Sequence, residues 1–227
     1  KLTSVTNNLV AIERMQAAFQ DILSFSRERA EDITGCWVIQ SPHDDLRFFE
    51  PGQRWDPIAS EVAPSNRQIV FVCGNRKVGK STFCRYLVNR MLNYHPHVAF
   101  FDFDCGQAEF TPPGFVAYSV RNAPFASPNF ATISTPPTDS RFYGSMTPSD
   151  DPRHYLECCM DLWNSFAGNL QTGVPVVINM LGWVSGLGLA LHSHLLHILK
   201  PTHILAFGED PPAGEDYVSK ALYSKSG

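Results

Sequence analysis

No Cys-x-x-Cys pair occurs among the six cysteines, Cys36, Cys73, Cys84, Cys105, Cys158 and Cys159. A zinc site or a disulfide framework is therefore not expected, and the thiols read as reduced core residues of an intracellular protein. No stretch approaches 18 consecutive apolar residues, so no membrane span is expected. The N-terminus, Lys1-Leu2-Thr3-Ser4, lacks a signal-peptide core and does not begin with Met. It reads as part of a longer protein whose targeting signals lie outside it. Charge is also scarce: 18% of residues are charged and the net charge is −4. There is no global basic footprint, so a nucleic-acid partner would need a local groove. What is present is hydrophobic content of 44% over 227 residues, enough for one sizeable α/β core with room for a partial second unit, and unlike a disordered chain. No internal repeat is visible.

The dominant motif is Gly74-Asn75-Arg76-Lys77-Val78-Gly79-Lys80-Ser81-Thr82, a match to G-x-x-x-x-G-K-[ST]. The apolar run Gln68–Cys73 before it reads as a buried strand. In the segment 83–93 after it, Phe83, Leu87 and Met91 recur on one helical face. Strand, loop and helix together make a phosphate cradle from successive N–H groups and a helix N-terminus. Lys80 is expected to reach the terminal phosphates of a nucleoside triphosphate, and Ser81 to hold Mg²⁺.

Residues 7–31 predict an amphipathic helix, and residues 35–66, broken by Pro42, Pro51, Pro57 and Pro64, a connector or tail of a preceding domain. The division expected is residues 1–66, then a nucleotide domain at 67–227. Strands are predicted at 98–104, 115–120, 175–180 and 202–207, and helices at 153–167 and 187–199. The segment 121–152, rich in Pro, Ser and Thr, predicts a long loop. This alternation points to an α/β P-loop NTPase, a mostly parallel twisted sheet with helices on both faces and its ligand at the carboxyl strand ends.

The second strand ends in Asp102-Phe103-Asp104, whose two carboxylates are expected to share one side. Acid there suits Mg²⁺ on a triphosphate and suits an alcohol acceptor that must lose a proton. A guanine-specific GTPase normally carries Asn-Lys-x-Asp after a later strand, which is not matched here, and the deviant-loop ATPases carry a lysine at the loop's start, where this chain has Asn75 and Lys77 is misplaced; both classes lose ground to a kinase. Arg121 and Arg141, in the predicted loop on the expected active side, are candidates for phosphate contacts, although a single loop arginine is as often simply solvated. Trp183 is a candidate for base stacking, although a large apolar side chain is more often core. His192, His194 and His197 share one predicted helix without a second ligand set and read as surface or core residues.

In order along residues 68–207, the chain resembles the RNA polynucleotide 5′-hydroxyl kinases, and more closely their nucleolar branch. The resemblance rests on the P-loop, on Asp102-Phe103-Asp104-Cys105-Gly106-Gln107, on Glu109-Phe110-Thr111-Pro112-Pro113-Gly114, on Phe142-Tyr143-Gly144, on 175–184, and on Pro201-Thr202-His203-Ile204. It implies transfer of the ATP γ-phosphate to the 5′-hydroxyl of RNA during pre-ribosomal RNA spacer processing. It also implies an endoribonuclease partner, nuclear and nucleolar location, and Mg²⁺. Carried over, Lys80 would neutralise phosphates, Thr82 would contact the α-phosphate, and Asp104 would act as base. Ser81, Asp102 and Asp104 would serve the metal; Gln107, Thr111, Trp183 and Arg141 would position phosphate or RNA. The family's arginine-bearing lid would fall after the last strand, where residues 211–227 hold Lys220 and Lys225 but no arginine. The alternative is an ATP-binding scaffold that transfers no phosphate.

Overall fold

The computed structural model describes residues 51–125, 136–170 and 173–208; the helix expected at 7–31 lies outside them. In chain order the elements are α1 (Trp55–Val62), β1 (Ile69–Gly74), α2 (Lys80–Met91), β2 (Val98–Asp102), β3 (Phe115–Arg121) and β4 (Asp139–Phe142). They continue with α3 (Pro152–Leu170), β5 (Val176–Asn179), α4 (Gly186–Leu199) and β6 (His203–Phe207). The six strands form one sheet in the order β4-β3-β2-β5-β1-β6. The four strands β2, β5, β1 and β6 are parallel, and β3 and β4 extend the sheet antiparallel at one edge.

Central strands buried on both faces should read as unbroken apolar runs, and β1, β2 and β5 do. Their side chains divide by strict alternation. Phe71, Ala99, Phe101, Val176 and Ile178 join the core under α3 and α4. Val70, Val72, Val98, Phe100 and Val177 join the core under α2. Phe83, Leu87 and Met91, spaced as the sequence predicts, are fully buried on the sheet-facing side of α2.

Two elements depart from the sequence-based expectation. Residues 55–62, placed there in a proline-broken connector, form α1. Pro57 is tolerated because it stands in the first helical turn, where backbone N–H groups have no intrahelical acceptor to lose. The Trp55 ring lies 5.2 Å from Phe83 and 6.3 Å from Phe207, so α1 packs onto the same core as the P-loop helix. The segment 121–152, expected as a loop, contains β4. Its sequence Asp-Ser-Arg-Phe offers no apolar alternation because an edge strand need bury little. Arg121, placed by the sequence in that loop, closes β3 opposite Val98, at the end of the sheet remote from the P-loop.

Candidate functional site

The P-loop follows β1 without slack. Gly74 has φ +137°, and a Cβ added there would stand 2.0 Å from the carbonyl oxygen of Phe207. Lys77 (φ 63°) and Gly79 (φ 94°) are also left-handed. Such a run turns consecutive N–H groups inward as an anion nest, and Gly79 caps α2 so that Lys80, Ser81 and Thr82 form its first turn. Asn75, Arg76, Lys77 and Val78 make the loop itself, and a Cβ added to Gly182 in the turn after β5 would stand 2.5 Å from Arg76 Cγ and 2.9 Å from its Cα. The Lys80 ammonium donates to the Asn75 carbonyl at 2.7 Å. Lys80 is buried, and desolvation lowers its pKa while the nearby Asp104 charge opposes that shift.

β5 stands between β1 and β2 and ends in Asn179, which the sequence-based site did not include. Its Nδ2 donates to Asp102 Oδ1 at 3.0 Å. Its Oδ1 accepts from Ser81 Oγ at 3.5 Å and from Cys84 Sγ at 3.8 Å. One buried amide thus joins the P-loop serine to the acidic strand end. An isolated Asn after Val-Val-Ile carries no motif; the only signal was that its strand is wholly apolar until that point.

The two aspartates differ. Asp102 is 2% exposed and accepts also from the N–H of Glu109 (2.5 Å) and of Asp104 (3.2 Å). Burial, with the Asp104 charge adding, pushes its carboxyl up to about 8, while those donors pull the other way. Asp104 lies beyond the strand and is partly exposed. Its Oδ1 accepts from the N–H of Gly106 and of Gln107, both at 3.1 Å, and no hydrogen bond engages its Oδ2 among the described residues. Tyr155, from α3, donates to the Phe103 carbonyl at 2.8 Å and pins the backbone between the two acids.

The remaining expected residues are dispersed. The Gln107 side chain is exposed, and its backbone rather than its amide meets Asp104. Thr111 is buried on the 103–114 loop with no partner for Oγ1. Trp183 is half-buried; its ring packs where a Cβ on Gly188 would fall, against the core beside α4. Arg141 belongs to β4 and pairs with Asp139 at 2.5 Å and with Asp161. These two carboxylates raise its pKa further and neutralise it in place, so it does not join the P-loop cluster. His192 is buried beneath the P-loop strand, its ring 6.0 Å from Phe71, and desolvation lowers its pKa to about 4. Its two neighbours in the sequence pattern, His194 and His197, form no metal cluster with it among the described residues. None of the described helices is long and apolar enough to cross a membrane.

The family model for the mRNA cleavage and polyadenylation factor CLP1 P-loop matches residues 74–219. The human polynucleotide 5′-hydroxyl-kinase NOL9 is 34% identical over 165 residues, 70% of this chain and 23% of that protein. The Arabidopsis thaliana protein of the same name is 34% identical over 177 residues, covering 71% and 48%. The Schizosaccharomyces pombe polynucleotide 5′-hydroxyl-kinase grc3 is 31% identical over 162 residues, covering 68% and 22%. This chain therefore spans between about a fifth and a half of the length of these relatives. Among solved structures, the wild-type Clp1p–Pcf11p complex aligns with TM-score 0.62 at 16% identity, over 74% of this chain and 44% of that one. The fold is that of an α/β P-loop NTPase, and the chain belongs to the CLP1 P-loop family, which carries nucleotide use with it.

Proposed function

We propose that this chain is the phosphate-transferring part of an ATP-dependent polynucleotide 5′-hydroxyl kinase acting on RNA. The observation that carries the reading is the continuous polar link from Ser81 through Asn179 to Asp102, with Lys80 and Asp104 electrostatically coupled beside it. A site that only bound a triphosphate would need the nest; a partly exposed carboxylate next to it serves an acceptor.

The donor set fits Mg²⁺ as a kinase uses it. No cluster of three or more His, Cys, Asp or Glu able to hold a metal occurs among the described residues. A hydroxyl and one or two carboxylates are what magnesium requires when phosphate oxygens complete its shell. Ser81 and Asp102 would hold it, with Asp104 at their side, and the ion would neutralise charge on the phosphates. The loop N–H groups and Lys80 hold the β- and γ-phosphates, the ammonium giving up the Asn75 carbonyl for them, and Thr82 approaches the α-phosphate. Asp104, steadied through Oδ1 by two backbone N–H groups, accepts the proton of the 5′-hydroxyl at Oδ2. The 5′-oxygen bonds to the γ-phosphorus as the bond to the β–γ bridging oxygen breaks, and ADP leaves. Asp102, more deeply buried, suits the metal side better than the base.

The names of the relatives support polynucleotide 5′-hydroxyl ends as the acceptor; RNA as that polynucleotide follows from the resemblance. Work on pre-ribosomal RNA in the nucleolus, beside an endoribonuclease, follows from the resemblance to the nucleolar branch. The test is transfer of label from γ-labelled ATP with Mg²⁺ to 5′-hydroxyl RNA, DNA and nucleosides in parallel. Label on RNA, lost in Lys80→Ala, is expected. Nucleotide binding without turnover would make the chain a scaffold, and label on nucleosides alone would make it a small-molecule kinase.

A further inference from the structure

Phe142 ends β4 with 65% of its surface exposed, and Met146, four residues on, is 66% exposed. Two large apolar side chains this open, four residues apart at one edge of the sheet, form a small exposed apolar patch of the kind that marks binding sites. The ring is not loosely held. Phe115 packs on it at 4.9 Å between centroids, and its carbons lie 3.5–3.8 Å from the points where Cβ atoms on Gly114 and Gly144 would stand.

The backbone beneath it is tied to the acid site. The N–H groups of Tyr143 and Gly144 both donate to the Gly114 carbonyl, at 2.8 and 2.9 Å. The Gly114 N–H donates in turn to the Cys105 carbonyl at 2.8 Å. At Gly106, the point where a Cβ would stand lies 2.7 Å from the Met146 carbonyl oxygen and 3.5 Å from Asp104 Oδ1. The exposed ring is therefore held in register with the Asp104 carboxylate.

Sheet order supplies the direction. Along the carboxyl edge the P-loop follows β1, Asp102 ends β2 with Asp104 just beyond it, and Phe142 ends β4, with β3 between β2 and β4. Strands are spaced about 5 Å apart, so the ring stands roughly 10 Å beyond β2, on the side away from the nucleotide cradle. A group there meets the acceptor, not the donor. We propose that the exposed ring of Phe142 is a stacking platform for a nucleobase near the 5′ end of the acceptor RNA. This rests on the kinase reading above. Stacking on one aromatic ring is tolerant of base identity, because every base has a π-face. The platform thus favours a polynucleotide over a simple alcohol without selecting sequence.

The test uses the full chain as Phe142→Ala and Phe142→Trp, with two 5′-hydroxyl oligoribonucleotides of equal length, one abasic at its first two positions. For the intact oligonucleotide, Phe142→Ala is expected to raise KM about 5- to 100-fold. KM for ATP and kcat at saturating RNA should stay near wild type, and Phe142→Trp should restore KM. On the abasic oligonucleotide wild type and Phe142→Ala should coincide. An unchanged KM, an equal loss on both oligonucleotides, or loss only of a co-purifying protein would overturn the platform. Should the wild type transfer no phosphate, the kinase reading fails separately and RNA affinity becomes the readout. A Phe142→Ala loss confined to the intact oligonucleotide then still supports the platform. Equal affinities, or no RNA binding by the wild type, overturn it.

Discussion

Replacing Asp102 by asparagine should change how stability depends on pH, in a direction opposite to the usual paired carboxylate. The Asp102 carboxyl is lifted from 3.8 to about 8, first by burial and then by the Asp104 charge. Between those values the folded chain keeps a proton that the unfolded chain has released. Stability from this group is therefore full below about pH 4, declines as pH rises, and stops changing once pH passes about 8. Between pH 6 and 9 the loss works out at about 2–3 kcal/mol. A carboxamide does not titrate, so that loss disappears in Asp102→Asn. The variant has its own cost: an amide nitrogen cannot accept from the N–H of Glu109, so about 1 kcal/mol should be missing at pH 6. The two stability curves, from urea denaturation without divalent cation, should cross near pH 7, with the variant the more stable at pH 9. Mg²⁺ and nucleotide should flatten the wild-type slope and leave the variant's slope alone. Phosphate transfer should fall in the variant at every pH if Asp102 serves the metal as proposed. Parallel slopes from pH 6 to 9 would refute the assignment of a protonated, buried Asp102.

Two further substitutions probe the geometry around it. Gly74→Ala should cost at least about 2 kcal/mol, read as a fall in denaturation midpoint, because a Cβ at φ +137° meets the Phe207 carbonyl at 2.0 Å; nucleotide affinity should fall with it. Tyr155→Phe leaves the Phe103 carbonyl buried without its 2.8 Å donor and should cost about 1–3 kcal/mol. It should lower kcat more than it changes KM for ATP, since the loosened backbone lies between the two acids and not in the cradle.

The parts of the site legible in the sequence are those where local chain geometry is itself the chemistry. The P-loop needs left-handed residues at Gly74 and Gly79 and a helix start at Lys80, all within nine consecutive residues, and the folded chain has them there. Asp102 and Asp104 were visible because acid ends an apolar run. What separates them was not, because it depends on depth: the strand stops at Asp102, which is buried, while Asp104 lies just beyond it and stays partly exposed. Asn179 was invisible for a different reason. Its role comes from β5 inserting between β1 and β2, a sheet order that no local pattern encodes, and only that insertion brings residue 179 within reach of both 81 and 102. Arg141 shows the converse. As a cation in a Pro-rich segment it suggested a phosphate contact; as part of an edge strand it is enclosed by Asp139 and by Asp161 of α3, whose proximity again only the fold creates. Its neighbour Phe142 gains importance from the same placement. On a strand two positions from β2, one residue's charge is neutralised and the next one's ring is left facing outward. The proposed acceptor side would thus rest on stacking and hydrogen-bonded backbone, in keeping with a chain whose net charge of −4 gives a polynucleotide no general attraction.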